Sequence, residues 1–164
     1  MLTPLLTALR LKHVPREGWK LRGLSDVESV AAHSWGVAWL VLLYLPDNLC
    51  LERALRYAVI HDLAESTVGD ITPHDGISRE EKHLREEHAL RELFAQLNRP
   101  DLLQSWLDYE AQADPEAQFV RQLDRLDMGL QAIQYAEREL NPTEFIASAL
   151  DAIHTPRLQA LLKQ

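Results

Sequence analysis

Apolar residues recur at intervals of three and four along almost the whole chain, and no segment alternates apolar and polar residues as a half-buried strand does. This pattern predicts an all-α fold. Proline, glycine and capping residues separate the helical segments. The predicted helices cover residues 4–12, 28–45, 51–65, 78–97, 101–112 and 115–140, and a short last helix begins at Thr155 and Pro156.

Three polar side chains fall on the apolar faces of these helices. His33 follows Val30 by three residues, Asp62 follows Val59 by three, and Asp124 follows an apolar residue by four. Burying an unpaired carboxylate costs several kcal/mol, so inward aspartates need cations or strong hydrogen-bond donors. A bound metal ion would satisfy all three side chains at once.

His61 directly precedes Asp62, and neighbours on a helix point about 100° apart. Both side chains therefore converge only on an object beside the helix, such as an ion. With His33 and Asp124 they make a set of nitrogen and oxygen donors that favours Mn, Co, Ni, Fe or Zn. Simpler interpretations stay open: a hydrogen-bonded core histidine at position 33, a helix cap at 62, and an ion pair with a neighbouring arginine at 124.

Two acidic residues follow the histidine–aspartate pair. Glu65 lies four residues after His61, within reach of a water held by the ion, and would orient or deprotonate it. The alternative is a solvated carboxylate at the end of the helix. Asp70 follows Gly69 in the predicted loop and is a second candidate functional carboxylate. The alternative is an ordinary turn residue.

Charge is distributed unevenly. The whole chain has a formal charge of −8, which argues against binding to a nucleic-acid polymer. Residues 10–22, however, contain five basic residues and one acid. Arg16 could bind a phosphate, and Trp19 could stack on a base or wall its pocket. The alternative is a solvated basic face anchored by one tryptophan.

The remaining composition limits the class of protein. A single cysteine provides neither a disulfide framework nor a thiolate cluster and fits a reducing compartment. No run approaches the ~18 apolar residues of a membrane span, and no signal peptide is recognisable. We expect one cytoplasmic domain, residues 1–164, that does not bind membranes.

Five longer motifs resemble one known family, the HD-domain metal-dependent phosphohydrolases, in their 5′-deoxynucleotidase branch. They are REGW (16–19), ESVAAHS (28–34), HDLAESTVGDITP (61–73), ISREEKHLRE (77–86) and QLDRLDMGLQAIQY (122–135). The resemblance implies an HD-domain bundle of about six to eight helices, a homodimer and one divalent transition-metal ion. It also implies hydrolysis of deoxyribonucleoside 5′-monophosphates to nucleoside and phosphate.

The resemblance also implies roles for individual residues. The expected metal ligands are His33, His61, Asp62 and Asp124; the expected catalytic and substrate-binding residues are Glu65, Asp70, Arg16 and Trp19. Two positions depart from the family. Gly18 precedes the tryptophan where bacterial members have an arginine, and Ala32 precedes the motif histidine where an acidic residue is common. The support of His33 by neighbouring residues is therefore expected to differ.

The sequence thus predicts a metal-dependent phosphomonoesterase acting on small (deoxy)ribonucleoside 5′-monophosphates. Two alternatives remain. The same site could hydrolyse a diester, a nucleoside triphosphate or another small phosphate, or the chain could be a non-catalytic, metal-stabilised module that binds nucleotides. A P-loop enzyme is excluded because the chain has no Gly-rich loop with a GK[S/T] ending.

Overall fold

A computed structural model describes residues 2–137 and 141–163 of the chain, and in these ranges the regular elements are all helical. The all-α prediction is confirmed. Seven of the ten α-helices described have eight residues or more, within the expected six to eight. The α-helices are α1 (Leu2–Leu9), α2 (Glu17–Lys20), α3 (Val30–Tyr44), α4 (Leu51–Ile60), α5 (Glu65–Val68), α6 (Arg79–Gln96), α7 (Pro100–Glu110), α8 (Pro115–Ala136), α9 (Thr143–Ala152) and α10 (Pro156–Gln159).

Helices α3, α4, α8 and α9 pack together around the largest cluster of buried apolar side chains. Val37 and Val41 of α3 and Val120 and Leu123 of α8 are fully buried in it. Each such side chain contributes about 1.5–3 kcal/mol to folding. Helices α6 and α7 enclose a second cluster around Trp106. The two long helices α3 and α8 are thereby fixed side by side, and they carry the candidate ligands His33 and Asp124.

Local capping sets the start of both long helices. The hydroxyl of Ser29 accepts a hydrogen bond from the backbone N–H of Ala32 at 3.1 Å, which begins α3 one turn before His33. Asp114 accepts from the N–H of Ala117 at 2.8 Å, and Pro115 occupies the first position of α8.

The prediction that one helix covers residues 51–65 is wrong at the C-terminal end of that helix. Helix α4 stops at Ile60, and a tighter turn joins it to α5. In this turn the N–H groups of Leu63 and Glu65 bond to carbonyl groups three residues earlier, those of Ile60 and Asp62. Apolar spacing continues through the turn, so periodicity alone could not reveal the break.

Other elements also differ from the sequence-based ones. The first helix is shorter: α1 ends at Leu9, and a 3₁₀ turn covers Arg10–His13. Helix α8 ends at Ala136, and residues 138–140 of the predicted helix lie outside the described residues. Helix α9 was not predicted; it is short, and its buried Ala149 and the following Ile153 complete the core against α8.

Within the described ranges, the structure contains no helix with the length and apolar content needed to cross a membrane.

Candidate active site

The four side chains predicted to bind a metal meet at one place. His33 of α3 and His61, at the end of α4, face each other with their Nε2 atoms 3.3 Å apart. Oδ2 of Asp62 lies 3.2 Å from Nε2 of His61 and 3.6 Å from Nε2 of His33. Oδ1 of Asp124, from α8, lies 3.2 Å from Nε2 of His33. Three separate segments of the chain thus bring four ligand atoms together.

Hydrogen bonds on the far side of each imidazole show which nitrogen faces this cluster with a lone pair. Nδ1 of His61 lies 2.9 Å from the carbonyl oxygen of Ala58, and Nδ1 of His33 lies 2.7 Å from Oδ2 of Asp127. Because these oxygens accept, both Nδ1 atoms carry hydrogen. Without a cation between them, the lone pairs of the two Nε2 atoms would face and repel each other.

The charged groups around the two imidazoles stabilise a positive charge between the facing nitrogen atoms. Burial and Arg16 act to lower the pKa of His33, but hydrogen bonds to Asp124 and Asp127 raise the pKa of His33 to about 9. Burial acts to raise the pKa of Asp62, but His61, His33 and Arg16 hold it well below its usual range. The cluster therefore favours either a proton or a metal ion among its donor atoms.

The spacing fits a metal. Around an ion with bonds of about 2.0–2.2 Å, ligand atoms lie roughly 3 Å apart. The atom pairs above are 3.2–3.6 Å apart, and His33, His61 and Asp62 can each direct one ligand atom to a common point. Two imidazoles and two carboxylates without sulfur suit a divalent transition metal. The described residues therefore form a group able to hold such an ion.

Asp127 was missed by the sequence reasoning, although it lies one helical turn after Asp124 on the same helix. It orients His33 through the 2.7 Å bond to Nδ1 and so supplies the support left open by Ala32. Gly36 makes this contact possible, because a Cβ atom there would overlap the carboxylate of Asp127. His33 and Gly36 are three residues apart on α3, and Asp124 and Asp127 are three residues apart on α8. This equal spacing was the sequence signal that could have pointed to Asp127.

Glu65 is the first residue of α5 and is only 3% exposed. The interpretation as a solvated helix-end carboxylate is therefore wrong. Its Oε1 lies 3.7 Å from Nζ of Lys82, whereas its Oε2 is buried without a hydrogen-bond partner among the described residues. Burial, followed by the charges of Asp62 and Asp70, raises the pKa of Glu65 to about 10. A cation beside Asp62 would offset that charge and favour the carboxylate form.

Arg16 lies directly against the ligand cluster, which is formed by the side chains of His33, His61, Asp62 and Asp124. Its Nη1 donates to Oδ2 of Asp62 at 3.4 Å, and its Nε lies 4.0 Å from Oε1 of Glu28. Burial acts to lower the pKa of Arg16, but Asp62 and the other neighbouring carboxylates keep it above its usual range. The guanidinium is therefore charged and is positioned to meet an anion bound at the cluster.

Asp70 joins two segments that are distant in sequence. Its Oδ2 accepts a hydrogen bond from the backbone N–H of Glu17 at 2.7 Å, at the start of α2. Gly69, with φ of 79°, provides the left-handed backbone that leads into this contact. Asp70 is thus more than a turn residue, since it fixes the loop after α5 against the segment that carries Arg16.

Trp19 lies deeper than the sequence suggested, at 2% exposure. Its ring packs against Tyr135 and Phe145, and its Nε1 donates to Oε1 of Glu28 at 3.0 Å. Part of Trp19 lines a cavity of about 310 Å³. Other residues around this cavity include Arg16, Asp70, Ile71, Thr72, His74, Arg125 and Met128. The cavity therefore adjoins the ligand cluster through Arg16, which contacts Asp62.

Comparison with known proteins agrees with this geometry. The profile of the HD domain family matches residues 8–164, nearly the whole chain. The chain belongs to the HD domain family. The resemblance noted in the sequence is thus confirmed, and the turn after α4 places the histidine–aspartate pair of the motif at the ligand cluster.

Individual relatives are similar over most of their length. This HD domain is 38% identical over 161 residues to 5′-deoxynucleotidase HDDC2 of Homo sapiens, covering 94% of this chain and 79% of that protein. It is 39% identical over 148 residues to 5′-deoxynucleotidase hdd1 of Schizosaccharomyces pombe, covering 85% and 74%. The crystal structure of the PH0347 protein from Pyrococcus horikoshii OT3 superposes with a TM-score of 0.83 at 33% identity, covering 99% of this chain and 94% of that one.

Proposed function

We propose that this HD domain hydrolyses (deoxy)ribonucleoside 5′-monophosphates to nucleoside and phosphate. The observation that carries the proposal is the cluster of four ligand atoms beside a buried carboxylate oxygen without a partner and a charged arginine. The substrate class comes from the relatives, which are named 5′-deoxynucleotidases.

His33, His61, Asp62 and Asp124 are the proposed ligands of one divalent ion, with Co, Mn, Zn, Ni and Fe as candidates. When bound, such an ion polarises a phosphate oxygen and lowers the pKa of water, so that a nucleophile forms near neutral pH. In the chain itself, Asp127 and the carbonyl of Ala58 hold the two imidazoles with their Nε2 atoms inward.

The other residues of the site bind the substrate and accept the proton of the attacking water. Arg16 binds the phosphate and neutralises charge that develops on its oxygens. Oε2 of Glu65 accepts a hydrogen bond from the attacking water and takes its proton as the oxygen–phosphorus bond forms. The bond from phosphorus to the 5′ oxygen breaks, and that oxygen takes a proton from solvent water and leaves as the nucleoside hydroxyl, with Asp70 orienting it.

The cavity beside Arg16 and Asp70 is the proposed site for sugar and base. At about 310 Å³ it is at the lower end of the range for small-molecule sites. Trp19 forms part of the wall of this cavity, and most of its ring is covered by Tyr135 and Phe145.

A substrate screen tests the proposal. Purified protein is incubated with nucleoside 5′-monophosphates, triphosphates and a phosphodiester, each with Mn, Co, Zn or Mg, and the products are separated. We expect nucleoside and inorganic phosphate from the monophosphates. Preferred turnover of a diester or triphosphate would assign another reaction to the same site, and binding of nucleotides without any product would identify a non-catalytic module.

We also propose a homodimer that acts in the cytoplasm. The dimer is supported by an apolar stripe on the outer face of α3, formed by Trp35, Trp39, Leu42 and Leu43, in which Trp35 is 69% exposed. The two indole rings lie nearly parallel, 6.5 Å apart. Exposed contiguous apolar surface of this kind marks interfaces. The reducing compartment is supported by the single cysteine.

A charge in the stripe tests the dimer. Trp35→Lys should convert a dimer into a monomer in light scattering after gel filtration, because the charge would be desolvated at the interface. Leu84→Lys is the matched control, since Leu84 is a similarly exposed apolar residue on α6. A monomeric wild-type protein would contradict the proposal.

A further inference from the structure

Lys82 is the only lysine that the structure describes in contact with the candidate active site, and none of the roles assigned above uses it. It lies in the first turn of α6. Ser78 caps this helix by accepting from the N–H of Glu81 at 3.1 Å, and the N–H of Lys82 bonds to the carbonyl of Ser78 at 2.9 Å. The cap fixes the helix start and thereby directs the side chain of Lys82 toward α5.

The ammonium group of Lys82 meets three oxygen atoms. It donates to the carbonyl oxygen of Ile71 at 3.1 Å and lies 3.5 Å from Oε1 of Glu86 and 3.7 Å from Oε1 of Glu65. An ammonium has three N–H donors, so this set matches its capacity. The side chain is about one-third exposed, and the contacts lie at its buried side.

These contacts treat the two oxygens of Glu65 differently. Oε1 faces the positive charge of Lys82, whereas Oε2 is buried and has no partner among the described residues. The ion pair attracts Oε1 toward Lys82 and so favours the orientation of the carboxylate in which Oε2 faces away from the ammonium group. The same ammonium holds Ile71, the neighbour of Asp70. One cation thus links the two acidic residues of the proposed mechanism.

We propose that Lys82 is a positioning residue, which fixes Glu65 so that Oε2 is presented to the attacking water and which ties the segment of Asp70 to the same point. The inference rests on the proposed phosphomonoesterase function. Lys82 touches neither the ligand cluster nor the reacting atoms, and it acts through Glu65.

The main variant is Lys82→Met, which keeps the length of the side chain and removes the charge. Loss of a residue that orients a catalytic group without touching the substrate typically lowers activity by about 10- to 100-fold. We expect kcat toward a nucleoside monophosphate to fall by about this factor, KM to change little, and metal content to stay the same. Lys82→Arg should restore part of kcat. Arg91→Met is the matched control, since Arg91 lies on the same helix, is 59% exposed and pairs only with Glu87 among the described residues.

A double-mutant cycle separates positioning from general stability. In a Glu65→Gln background, Lys82→Met should cause no further loss of kcat, because the group it positions is already disabled.

Three results would overturn the inference: wild-type kcat in Lys82→Met, equal losses with and without Glu65, or no recovery of kcat in Lys82→Arg. If the wild-type protein hydrolyses no nucleoside monophosphate, the proposed function fails, and a crystal structure of Lys82→Met decides the inference separately. A displaced Glu65 carboxylate and Ile71 carbonyl would support it, and unchanged positions of both would overturn it.

Discussion

Asp127→Asn should weaken metal binding although Asp127 is not a proposed ligand. The carboxylate accepts the N–H of His33 at 2.7 Å and so keeps a proton on Nδ1, which leaves Nε2 as the nitrogen that can give up its proton and coordinate an ion. An asparagine in the same place can turn its amide N–H toward Nδ1. The imidazole then carries its proton on Nε2, where it blocks coordination.

The size of the effect follows from the geometry. A short hydrogen bond to a charged acceptor contributes about 1.5–3 kcal/mol, and loss of such partners typically costs about 10- to 100-fold in metal affinity. For an ion present at 100 times its wild-type Kd, binding stabilises the fold by about 2.7 kcal/mol. A 100-fold weaker site at the same concentration retains only about 0.4 kcal/mol. The metal-induced rise in Tm should therefore shrink by roughly 5–9 °C for a domain of this size.

The assay titrates Mn or Co into metal-free protein by calorimetry and records Tm with and without the ion. Asp151→Asn is the control, because it makes the same change of charge at an exposed position on α9. The reasoning is refuted if Asp127→Asn binds the ion as tightly as the wild type and the control, since the bond to His33 would then have no part in presenting Nε2.

Three further predictions test the site. His61→Ala or Asp124→Ala should lose the bound ion and phosphatase activity together, measured by elemental analysis and phosphate release; normal metal content in both would refute their assignment as ligands. Glu65→Ala should keep the ion but lose about 10²–10⁴-fold in kcat, and near-normal turnover would remove its role in proton transfer. Trp19→Ala should reduce discrimination among nucleotides more than it slows hydrolysis of a small aryl phosphate; equal losses would indicate a purely structural tryptophan.

The ligand cluster could be predicted because it is built mainly on regular helices. His33 and Asp124 lie on α3 and α8, where helical spacing from buried apolar residues reports the inward direction. The adjacent pair His61 and Asp62 was correctly placed beside the same point. The reason given was incomplete, because the helix ends at Ile60 and a tighter turn carries the pair.

Contacts between distant segments could not be read from spacing. Lys82 approaches Glu65 only because α6 packs against α5, and Glu65 is buried only because the chain turns after α4. Sequence periodicity describes one helix at a time, so it left open whether Glu65 faces the ion or lies solvated at the helix end. Lys82 lies within the motif ISREEKHLRE, but nothing in the spacing of that motif linked it to Glu65.

The two parts of the site therefore differ in how they are held. Two of the four proposed metal ligands, His33 and Asp124, lie on long helices, whose positions are fixed by burial of many apolar side chains. The substrate side rests on connecting segments fixed by few bonds: the N–H of Arg16 to the carbonyl of Glu28 at 3.0 Å, the N–H of Glu17 to Asp70 at 2.7 Å, and Lys82 to the carbonyl of Ile71 at 3.1 Å. Because each of these bonds contributes only about 0.5–3 kcal/mol, substitutions among them should alter turnover and substrate choice well before they unfold the domain or release the ion.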